Sequence, residues 1–432
     1  MGDFSQDHNS LGRARDLCAY IDASPSPYHA VAETARRLEA AGFTEVGLDE
    51  PTSPPGLRYL RSGGALIAWA NIDRPADAPL RVVGAHTDSP NLRVKPRPDR
   101  GDQGFRRIGV EVYGSVLLNS WLDRDLGLSG RVLLRDRELA GGADAPARAV
   151  LVRDDRPLAR IPQLAVHLDG GVNEAGLVLD PQDDLAPVVG LGDAEPRGFE
   201  RRLADLAGVD ASEVLAWDVM FHDVVPARLA GPDEEFVSAP RVDNLLSCHA
   251  GTGALTEAGT IDGRFVPVLA LFDHEEVGSE TATGAAGPLL HRTLHRHLGL
   301  PGRPLEQSLV LSVDCAHATH PSRFNRHDPE HPVRLNGGPV VKVNAKARYG
   351  TDAPGMALVR LAAERADVPL QSFVSRNDLP CGSTIGPATA TRTGLRTVDL
   401  GVAQLGMHSA REFCGSRDPA ALHALLLELL VR

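Results

Sequence analysis

After residue 240, short apolar segments with the composition of buried strands alternate with segments that have the periodicity of helices. Strands are predicted at Val266–Phe272 and 396–400, and helices at 288–297 and 419–430, the last with Asp418 as its N-cap. Alternation of this kind is typical of an α/β domain built around a parallel or mixed sheet. The sequence therefore predicts an α/β fold in which a mixed sheet is flanked by helices.

The middle of the chain has a different pattern of predicted secondary structure. Between about residues 99 and 239, short β-type segments are separated by turn residues, with one helical segment at 199–206. We therefore expect an α/β domain formed by residues 1–98 and 240–432, interrupted by an inserted, mostly β domain at residues 99–239.

Composition excludes several classes of protein. The 432 residues carry a formal net charge of −12, and no segment concentrates basic residues with interleaved aromatics, so no nucleic-acid partner is expected. The apolar segments fall short of the roughly 20 residues that span a bilayer, so no membrane partner is expected either. Five scattered cysteines without a CxxC pair favour a reducing compartment. We expect a cytoplasmic protein in which any metal is bound by His, Asp and Glu.

Side chains that bind metals follow the predicted strands at the points where those strands end. They are His86 and Asp88 after residues 80–85, Glu275 and Glu276 after Val266–Phe272, Asp314 after residues 309–313, and His408 after residues 396–400. Because the carboxyl ends of parallel strands meet at one edge of a sheet, we expect these side chains to lie together.

Each of these signals also has a structural interpretation. His86 and Asp88 are compatible with a strand-end histidine capped by a carboxylate, and Asp243 is compatible with a simple helix N-cap. Glu275 and Glu276 face different directions, so one can bind metal while the other moves a proton, but acidic pairs commonly face solvent. A site of this composition suits zinc, cobalt or manganese, and the ligand types do not choose among them.

Five motifs in one order make the combination specific. They are residues 84–90 (GAHTDSP), 241–244 (RVDN), 274–279 (HEEVGS), 314–321 (DCAHATHP) and 407–412 (MHSARE). Together they resemble the aspartyl aminopeptidase family, the M18 zinc metallopeptidases. The resemblance extends from about residue 13 to residue 430 and implies a zinc-peptidase-like catalytic domain.

The resemblance implies a pair of metal ions per subunit, usually zinc, with cobalt or manganese as alternatives. The implied ligands are His86, Asp243 (which bridges both ions), Glu276, Asp314 and His408. Glu275 matches the general base, and Asp88 matches the acid beside the histidine. Two metals about 3.5 to 4 Å apart can activate a water and polarise a peptide carbonyl. In related dinuclear peptidases the bridging aspartate precedes a cis peptide bond, which we expect between Asp243 and Asn244.

Lys342 and Tyr349 match positions that concern the substrate in the family, and His317 and His320 are expected near the substrate pocket. Lys342, in the segment 338–342, resembles the lysine that meets the acidic side chain of the first residue of the substrate, and Tyr349 follows as in the family. A local positive charge is what an Asp or Glu side chain requires in a protein of net charge −12. Of His317 and His320, one is expected to line the pocket and the other to be structural, without a ranking between them.

His167 matches a family histidine that reaches the active site of a neighbouring subunit and polarises the peptide carbonyl. The alternative is a buried strand histidine, since Ala165 and His167 would share one face of a strand. The family forms tetrahedral dodecamers built from dimers. The resemblance therefore implies a homo-oligomer in which the inserted domain is a dimerisation domain.

The leading hypothesis is a dinuclear metal-dependent aminopeptidase that removes N-terminal Asp or Glu from peptides by metal-activated water. Two alternatives remain: an aminopeptidase of the same mechanism that prefers neutral or apolar first residues, and a catalytically silent shell that binds peptides. The silent shell is disfavoured because no predicted ligand or base is missing from the sequence.

Overall fold

The computed structural model describes residues 7–50, 55–135 and 147–432. The chain divides into two compact units. The first consists of residues up to 89, 227–407 and 412–432, and the second of residues 90–226 and 408–411.

The described helices are α1 (Asp7–Ala23), α2 (Pro27–Ala40), α3 (Val172–Ala175), α4 (Gly198–Ala207), α5 (Val242–Ala258), α6 (Leu289–Leu298), α7 (Ala353–Arg365), α8 (Ile385–Thr393) and α9 (Asp418–Val431). The described strands are β1 (Thr44–Glu45), β2 (Gly56–Ser62), β3 (Ala65–Asn71), β4 (Leu80–His86), β5 (Asn91–Asp102), β6 (Phe105–Tyr113), β7 (Leu126–Leu134), β8 (Arg148–Ala159), β9 (Val188–Leu191), β10 (Val214–Asp223), β11 (Arg228–Ala230), β12 (Phe236–Ala239), β13 (Val266–Phe272), β14 (Leu309–Val313), β15 (Ala316–His317), β16 (Val340–Val343), β17 (Gln371–Val374), β18 (Arg396–Gly401), β19 (Ala403–Leu405) and β20 (Glu412–Gly415).

The first unit is built around a nine-stranded mixed sheet with the order β1-β2-β3-β13-β4-β14-β18-β16-β17. Its four central strands, β13, β4, β14 and β18, are parallel to one another. Their carboxyl ends therefore meet at one edge of the sheet, which is where ligands bind in folds of this type. The predicted α/β class with a mixed sheet is confirmed.

Both faces of this sheet are covered, and strand β13 shows why its sequence is apolar throughout. Leu269 and Leu271 belong to a core cluster that includes residues of α1, α5 and α9. Val268 and Ala270, which point the other way, belong to a second cluster with residues of α6. A strand buried on both faces needs apolar side chains at every position, so the segment reads as a continuous apolar run.

The second unit contains a six-stranded antiparallel sheet with the order β8-β7-β10-β5-β6-β9, and helix α4 packs against it. Its own core includes residues of α4 and of the sheet, among them Leu128, Phe199 and Phe221. The first unit also has a small sheet of order β11-β12-β20-β19-β15, which the sequence did not predict.

The ends of the inserted unit differ from the expected ones at 98/99 and 239/240. Residues 91–98 belong to β5, which pairs with β6 and β10 in the second unit. Residues 228–239 contain β11 and β12, which pair with each other and with β20 in the first unit. The strand with which a segment pairs determines the unit to which it belongs. Because β12 pairs with β20, almost 180 residues later, the sequence near β12 does not indicate this pairing.

One predicted helix start is corrected. Helix α9 begins at Asp418 itself, and no side chain caps it. The Asp418 carboxylate instead accepts hydrogen bonds from the backbone N–H groups of Asn336 (2.7 Å) and Gly338 (2.9 Å). In the described part of the chain, no helix combines the length and the apolar character needed to cross a bilayer.

Candidate metal centre

His86 ends strand β4 at the centre of the sheet edge, and its side chain is only 1% exposed. Its Nδ1 lies 3.0 Å from the backbone oxygen of Asp88. Its Nε2 lies 3.4 Å from Asp243 Oδ1 and 3.5 Å from Asp314 Oδ1. A partner at Nδ1 fixes the orientation of a ligand histidine, so Nε2 is the nitrogen directed toward the carboxylates.

Asp88 organises the neighbouring glutamate pair. Its Oδ1 accepts a hydrogen bond from the backbone N–H of Glu275, and its Oδ2 accepts one from Glu276, both at 3.1 Å. The two glutamates lie on a short 3₁₀ turn directly after β13, and His274 before them has a left-handed backbone. Asp88 Oδ1 also lies 3.5 Å from His86 Nδ1. One buried carboxylate thus positions both the histidine and the glutamates.

Asp243 lies at the start of α5, and the peptide bond between Asp243 and Asn244 is cis, as predicted. Three hydrogen bonds hold this segment. The Asp243 N–H donates to Glu412 Oε2 (2.9 Å), Ser89 Oγ donates to the Asp243 carbonyl oxygen (2.7 Å), and Asn244 Nδ2 donates to the Val313 carbonyl oxygen (2.8 Å). The backbone on both sides of the Asp243 side chain is therefore fixed.

Asp314 follows β14, the strand next to β4. Its Oδ1 faces His86, and its Oδ2 lies 3.4 Å from Lys342 Nζ. Gly401 packs so closely against the backbone of Asp314 that a side chain would have no room there. The approach of β18 to this turn thus requires glycine.

The spacing of these atoms fits a metal site. One ligand atom from each of His86, Asp243 and Glu276 lies within 4.8 Å of the others. A tetrahedral zinc ion with bonds of about 2.0 to 2.1 Å separates its ligand atoms by about 3.3 Å. The 3.4 and 3.5 Å distances from His86 Nε2 to Asp243 and Asp314 are close to that value. Imidazole and carboxylate donors of this kind are ordinary zinc ligands.

Crowded carboxylates and burial shift the protonation of the cluster. Burial raises the pKa of Glu275 to about 8, with Asp314 and Asp88 adding to the effect and His86 opposing it. Burial and Asp243 raise the pKa of Glu276 well above its usual value. Burial disfavours the charged form of His86, but hydrogen bonds to Asp243, Asp314 and Asp88 prevail and raise the pKa of His86 well above the usual value. A cation at this position would favour the ionised forms of the two glutamates.

Lys342 contributes a buried positive charge beside the cluster. It is 2% exposed on strand β16, and its Nζ lies 5.4 Å from the centre of the Tyr349 ring. Burial alone would lower the pKa of Lys342, but Asp314 and Asp399 outweigh burial and raise it. Burial likewise disfavours ionisation of Asp314, but Lys342 and His86 hold the pKa of that carboxyl below its usual range.

The other residues predicted near the substrate lie in the same unit. Tyr349 is buried and packs edge to face against Phe373. His317 is exposed on β15, and its ring lies edge to face with Phe373 at a centroid separation of 6.1 Å. His320 Nδ1 accepts a hydrogen bond from the N–H of Ser322, which fits a structural role in its loop.

His167 and His408 belong to the second unit. His167 lies in an exposed turn and not in a strand, so the alternative of a buried strand histidine is wrong. His408 has a left-handed backbone (φ 66°), and its Nδ1 lies 3.0 Å from the backbone oxygen of Ser115. Its role as a metal ligand stays a prediction.

Sequence reasoning missed three residues that position the site. Glu412 holds the Asp243 N–H, and Ser89 holds the Asp243 carbonyl oxygen. Asp399 accepts hydrogen bonds from Ser312 Oγ, Thr384 Oγ1 and the Gly350 N–H, each at 2.5 Å, and so fixes the turn after Tyr349. Ser89 and Glu412 lie in two of the five motifs but had no predicted role, and Asp399 carried a signal of its own because a charged residue is unusual in an apolar strand.

Comparisons with known proteins agree with this geometry. Residues 20–428 match the family model described as aminopeptidase I zinc metalloprotease (M18). The chain is 51% identical to a probable M18 family aminopeptidase 2 of Streptomyces coelicolor, over 97% of this chain and 98% of that protein.

Two solved structures give the same result. A chain in the cryo-EM structure of the Ape4 and Nbr1 complex is 34% identical, with a TM-score of 0.93, over 99% of this chain and 87% of that chain. A chain in the S. cerevisiae mApe1 dodecamer is 29% identical, with a TM-score of 0.82, over 98% and 97% of the two chains. The chain described here therefore belongs to the M18 family of zinc metallopeptidases and is a metal-dependent aminopeptidase of that family.

Proposed function

We propose that this aminopeptidase uses two metal ions to remove N-terminal Asp or Glu from peptides. The observation that carries the proposal is the buried Lys342, whose ammonium group lies beside the metal-binding cluster in a chain of net charge −12. A single positive charge next to a carboxylate-rich site favours a substrate with an acidic first side chain.

Five residues are proposed to hold two zinc ions. They are His86, Asp243, Glu276, Asp314 and His408, with Asp243 shared between the ions. When bound, the ions polarise the peptide carbonyl and make water more acidic. Cobalt or manganese would bind the same donor atoms.

Glu275 is proposed as the general base. Its carboxylate takes a proton from the attacking water and delivers a proton to the leaving amine. Asp88 supports this role because it holds the backbone N–H of Glu275 and thereby fixes the base in position. Burial raises the pKa of Glu275 to about 8 in the cluster without metal, and bound cations would favour the ionised form, which is the form that accepts a proton.

Lys342 and Tyr349 are proposed to form the pocket for the first side chain of the substrate. Lys342 Nζ contacts Asp314 at 3.4 Å and faces the Tyr349 ring. An acidic side chain that enters this pocket gains a second carboxylate contact with Lys342. His317 is proposed to line the entrance, since it is exposed near Phe373. The hydrogen bond at His320 Nδ1 favours a structural role for that residue.

The test is a panel of chromogenic substrates in which a single Asp, Glu or Leu residue is joined to the chromogenic leaving group. The matching N-acetyl-Asp substrate, which has no free amino group, serves as the control. The zinc-loaded protein should have a kcat/KM for Asp and Glu at least roughly 30-fold higher than for Leu, because a buried charge pair is worth about 2 to 5 kcal/mol. N-acetyl-Asp should not be hydrolysed by an aminopeptidase. A preference for Leu would establish the neutral alternative, and no turnover of any substrate would establish the silent shell.

We also propose that the active protein is a homo-oligomer, specifically a tetrahedral dodecamer built from dimers, in which the second unit mediates dimerisation. A relative that is 29% identical is described as a dodecamer. His167 lies in an exposed turn, which supports a role in the site of a neighbouring subunit.

The five cysteines are all free, which supports a cytoplasmic location.

Mixed assemblies test the shared site. His167→Ala and Glu275→Gln should each be nearly inactive alone, and co-assembly should restore partial turnover because some sites then combine an intact base with an intact histidine. Mixed assemblies as inactive as the parents, or a fully active monomer, would remove His167 from catalysis.

A further inference from the structure

The second unit contains a cavity of about 520 Å³ between its sheet and helix α4. Six arginines line it, contributed by β5, β6, β8 and α4: Arg100, Arg106, Arg107, Arg156, Arg201 and Arg202. None of them is a predicted residue of the metal centre. We call this site the arginine cavity.

The floor of the arginine cavity is apolar. Phe199, Phe221, Leu128 and Ile108 line it, and each is at most 5% exposed because it belongs to the core of the second unit. Concave sites of about 300 to 1,000 Å³ that combine an apolar floor with a few polar groups are typical of small-molecule binding sites. The cavity thus has room for a ligand with both a ring and charged groups.

The charge of the lining is positive. Three carboxylates, Asp99, Glu195 and Asp205, accompany the six arginines, which leaves a formal charge of +3 in a chain of net charge −12. Asp99 Oδ1 already accepts a hydrogen bond from the backbone N–H of Phe199 (3.0 Å). A positive cleft with low-dielectric walls concentrates the field on an anion that enters it.

Two carboxylates each pair with two of these arginines, and Asp102 lies 3.7 Å from Arg107 Nη2. Glu195 lies 2.7 Å from Arg201 Nη2 and 3.5 Å from Arg106 Nη1. Asp154, which does not line the cavity, lies 2.6 Å from Arg156 Nη2 and 3.4 Å from Arg202 Nη1. A guanidinium carries five N–H donors, so one shared carboxylate leaves most of the donors of each pair for another acceptor.

Two of the guanidinium groups have donors that the protein does not use. The Nε atoms of Arg106 and Arg107 are buried, and neither donates a hydrogen bond to any residue within the described ranges. A buried donor without a partner costs about 1 to 3 kcal/mol. An anion in the cavity would remove that cost once these partly exposed side chains turn their Nε atoms toward it.

We propose that the arginine cavity binds a ring-bearing organic polyphosphate, with the chemistry of a nucleoside diphosphate. The guanidinium forks match phosphate oxygens in pairs, and several forks around one cavity suit several phosphates better than one carboxylate. The ring lies against the floor at Phe199 and Ile108. This site is independent of the metal centre and of the proposed peptidase activity.

The test is calorimetric titration of the full-length, zinc-loaded protein with ADP, adenosine and inorganic pyrophosphate. ADP should bind, more weakly at high salt, and adenosine should not bind, because the phosphates supply the attraction. Pyrophosphate should bind more weakly than ADP, because it lacks the ring. ADP should bind equally well after zinc has been removed, which separates the cavity from phosphate bound to the metals.

Matched variants locate the site. Arg156→Gln and Arg106→Gln should each weaken ADP binding roughly tenfold to hundredfold, the usual cost of a lost charged hydrogen bond. Arg153→Gln, which changes an arginine of the same strand β8 outside the cavity, should leave binding unchanged. All three proteins should retain the thermal transition of the wild type.

Four results would overturn the proposal. They are no ADP binding by the full-length protein, binding that disappears with the zinc, pyrophosphate binding as strong as that of ADP, and equal losses in all three arginine variants. The first result would also be obtained if an acidic segment of a second copy filled the cavity in the assembled protein. None of these results would change the substrate panel that tests the peptidase.

Discussion

Zinc binding to the metal-free protein at pH 7 should release protons. Without a cation, burial and neighbouring carboxylates raise the pKa values of Glu275 and Glu276, and hydrogen bonds to aspartates raise that of His86, so these groups keep their protons to higher pH than usual. A metal ligand must lose its proton before it coordinates a cation, and a nearby cation also favours an ionised carboxylate.

The magnitude follows from the individual groups. A group with a pKa of about 8, such as Glu275, is about 90% protonated at pH 7 and about 10% protonated at pH 9. Glu276 and His86, whose pKa values are also raised, add any protons that they hold at pH 7. The contribution of Glu275 should therefore fall from about 0.9 proton at pH 7 to about 0.1 proton at pH 9.

Isothermal titration in buffers of different ionisation enthalpy measures this number, because the slope of observed heat against buffer enthalpy equals the protons released. Glu275→Gln should lower the slope at pH 7 by about one proton, whereas Glu280→Gln, an exposed control on the same loop, should not change it. A slope below about one proton at pH 7, or an unchanged slope in Glu275→Gln, would refute this account of the cluster.

Three further outcomes follow from the site and the core. Glu275→Gln should reduce turnover by about 10² to 10⁴ with unchanged zinc content, whereas the control Glu280→Gln should stay active. Turnover of Glu275→Gln above about a tenth of the wild-type value would contradict the role of Glu275 as the base. Lys342→Met should reduce kcat/KM for Asp substrates far more than for Leu substrates, with exposed Lys346→Met as the control; equal losses would assign Lys342 to positioning Asp314. Burial raises the pKa of Asp418 to about 7, above its unfolded value, so its contribution to stability is greatest at acid pH and declines as pH rises from about 4 to 7. The melting temperature of Asp418→Asn minus that of the wild type should therefore rise between pH 5 and pH 8, because only the wild type loses this contribution. A difference that does not change with pH would exclude the effect.

The central sheet and part of the metal centre were predictable because their signals are local. Val266–Phe272 is apolar at every position since both of its faces are buried, and the metal-binding residue types follow such strands directly. His86, Asp243 and Glu276 lie together because β4 and β13 end, and α5 begins, at the same edge of the sheet.

The supporting contacts were not predictable because they join distant parts of the chain. Glu412 holds a backbone N–H that lies 169 residues earlier, and no local pattern marks this pair. Asp88 was expected beside the histidine, but its two hydrogen bonds to the Glu275 and Glu276 backbones depend on how β4 and β13 align. Asp418 was expected to cap its own helix, yet its carboxylate is used by Asn336 and Gly338.

The position of β4 between β13 and β14 has a consequence for biosynthesis. Strand β4 ends at His86, but both of its partners in the sheet lie beyond the second unit, from Val266 onward. At about 5 to 20 residues per second, a ribosome needs roughly 10 to 40 s to make the intervening chain. During that interval β4 has no partner on either side, while most of the second unit has already emerged and can fold. The nascent chain therefore cannot complete the proposed set of zinc ligands until His408 has been made, which delays peptidase activity until most of the polypeptide has been synthesised.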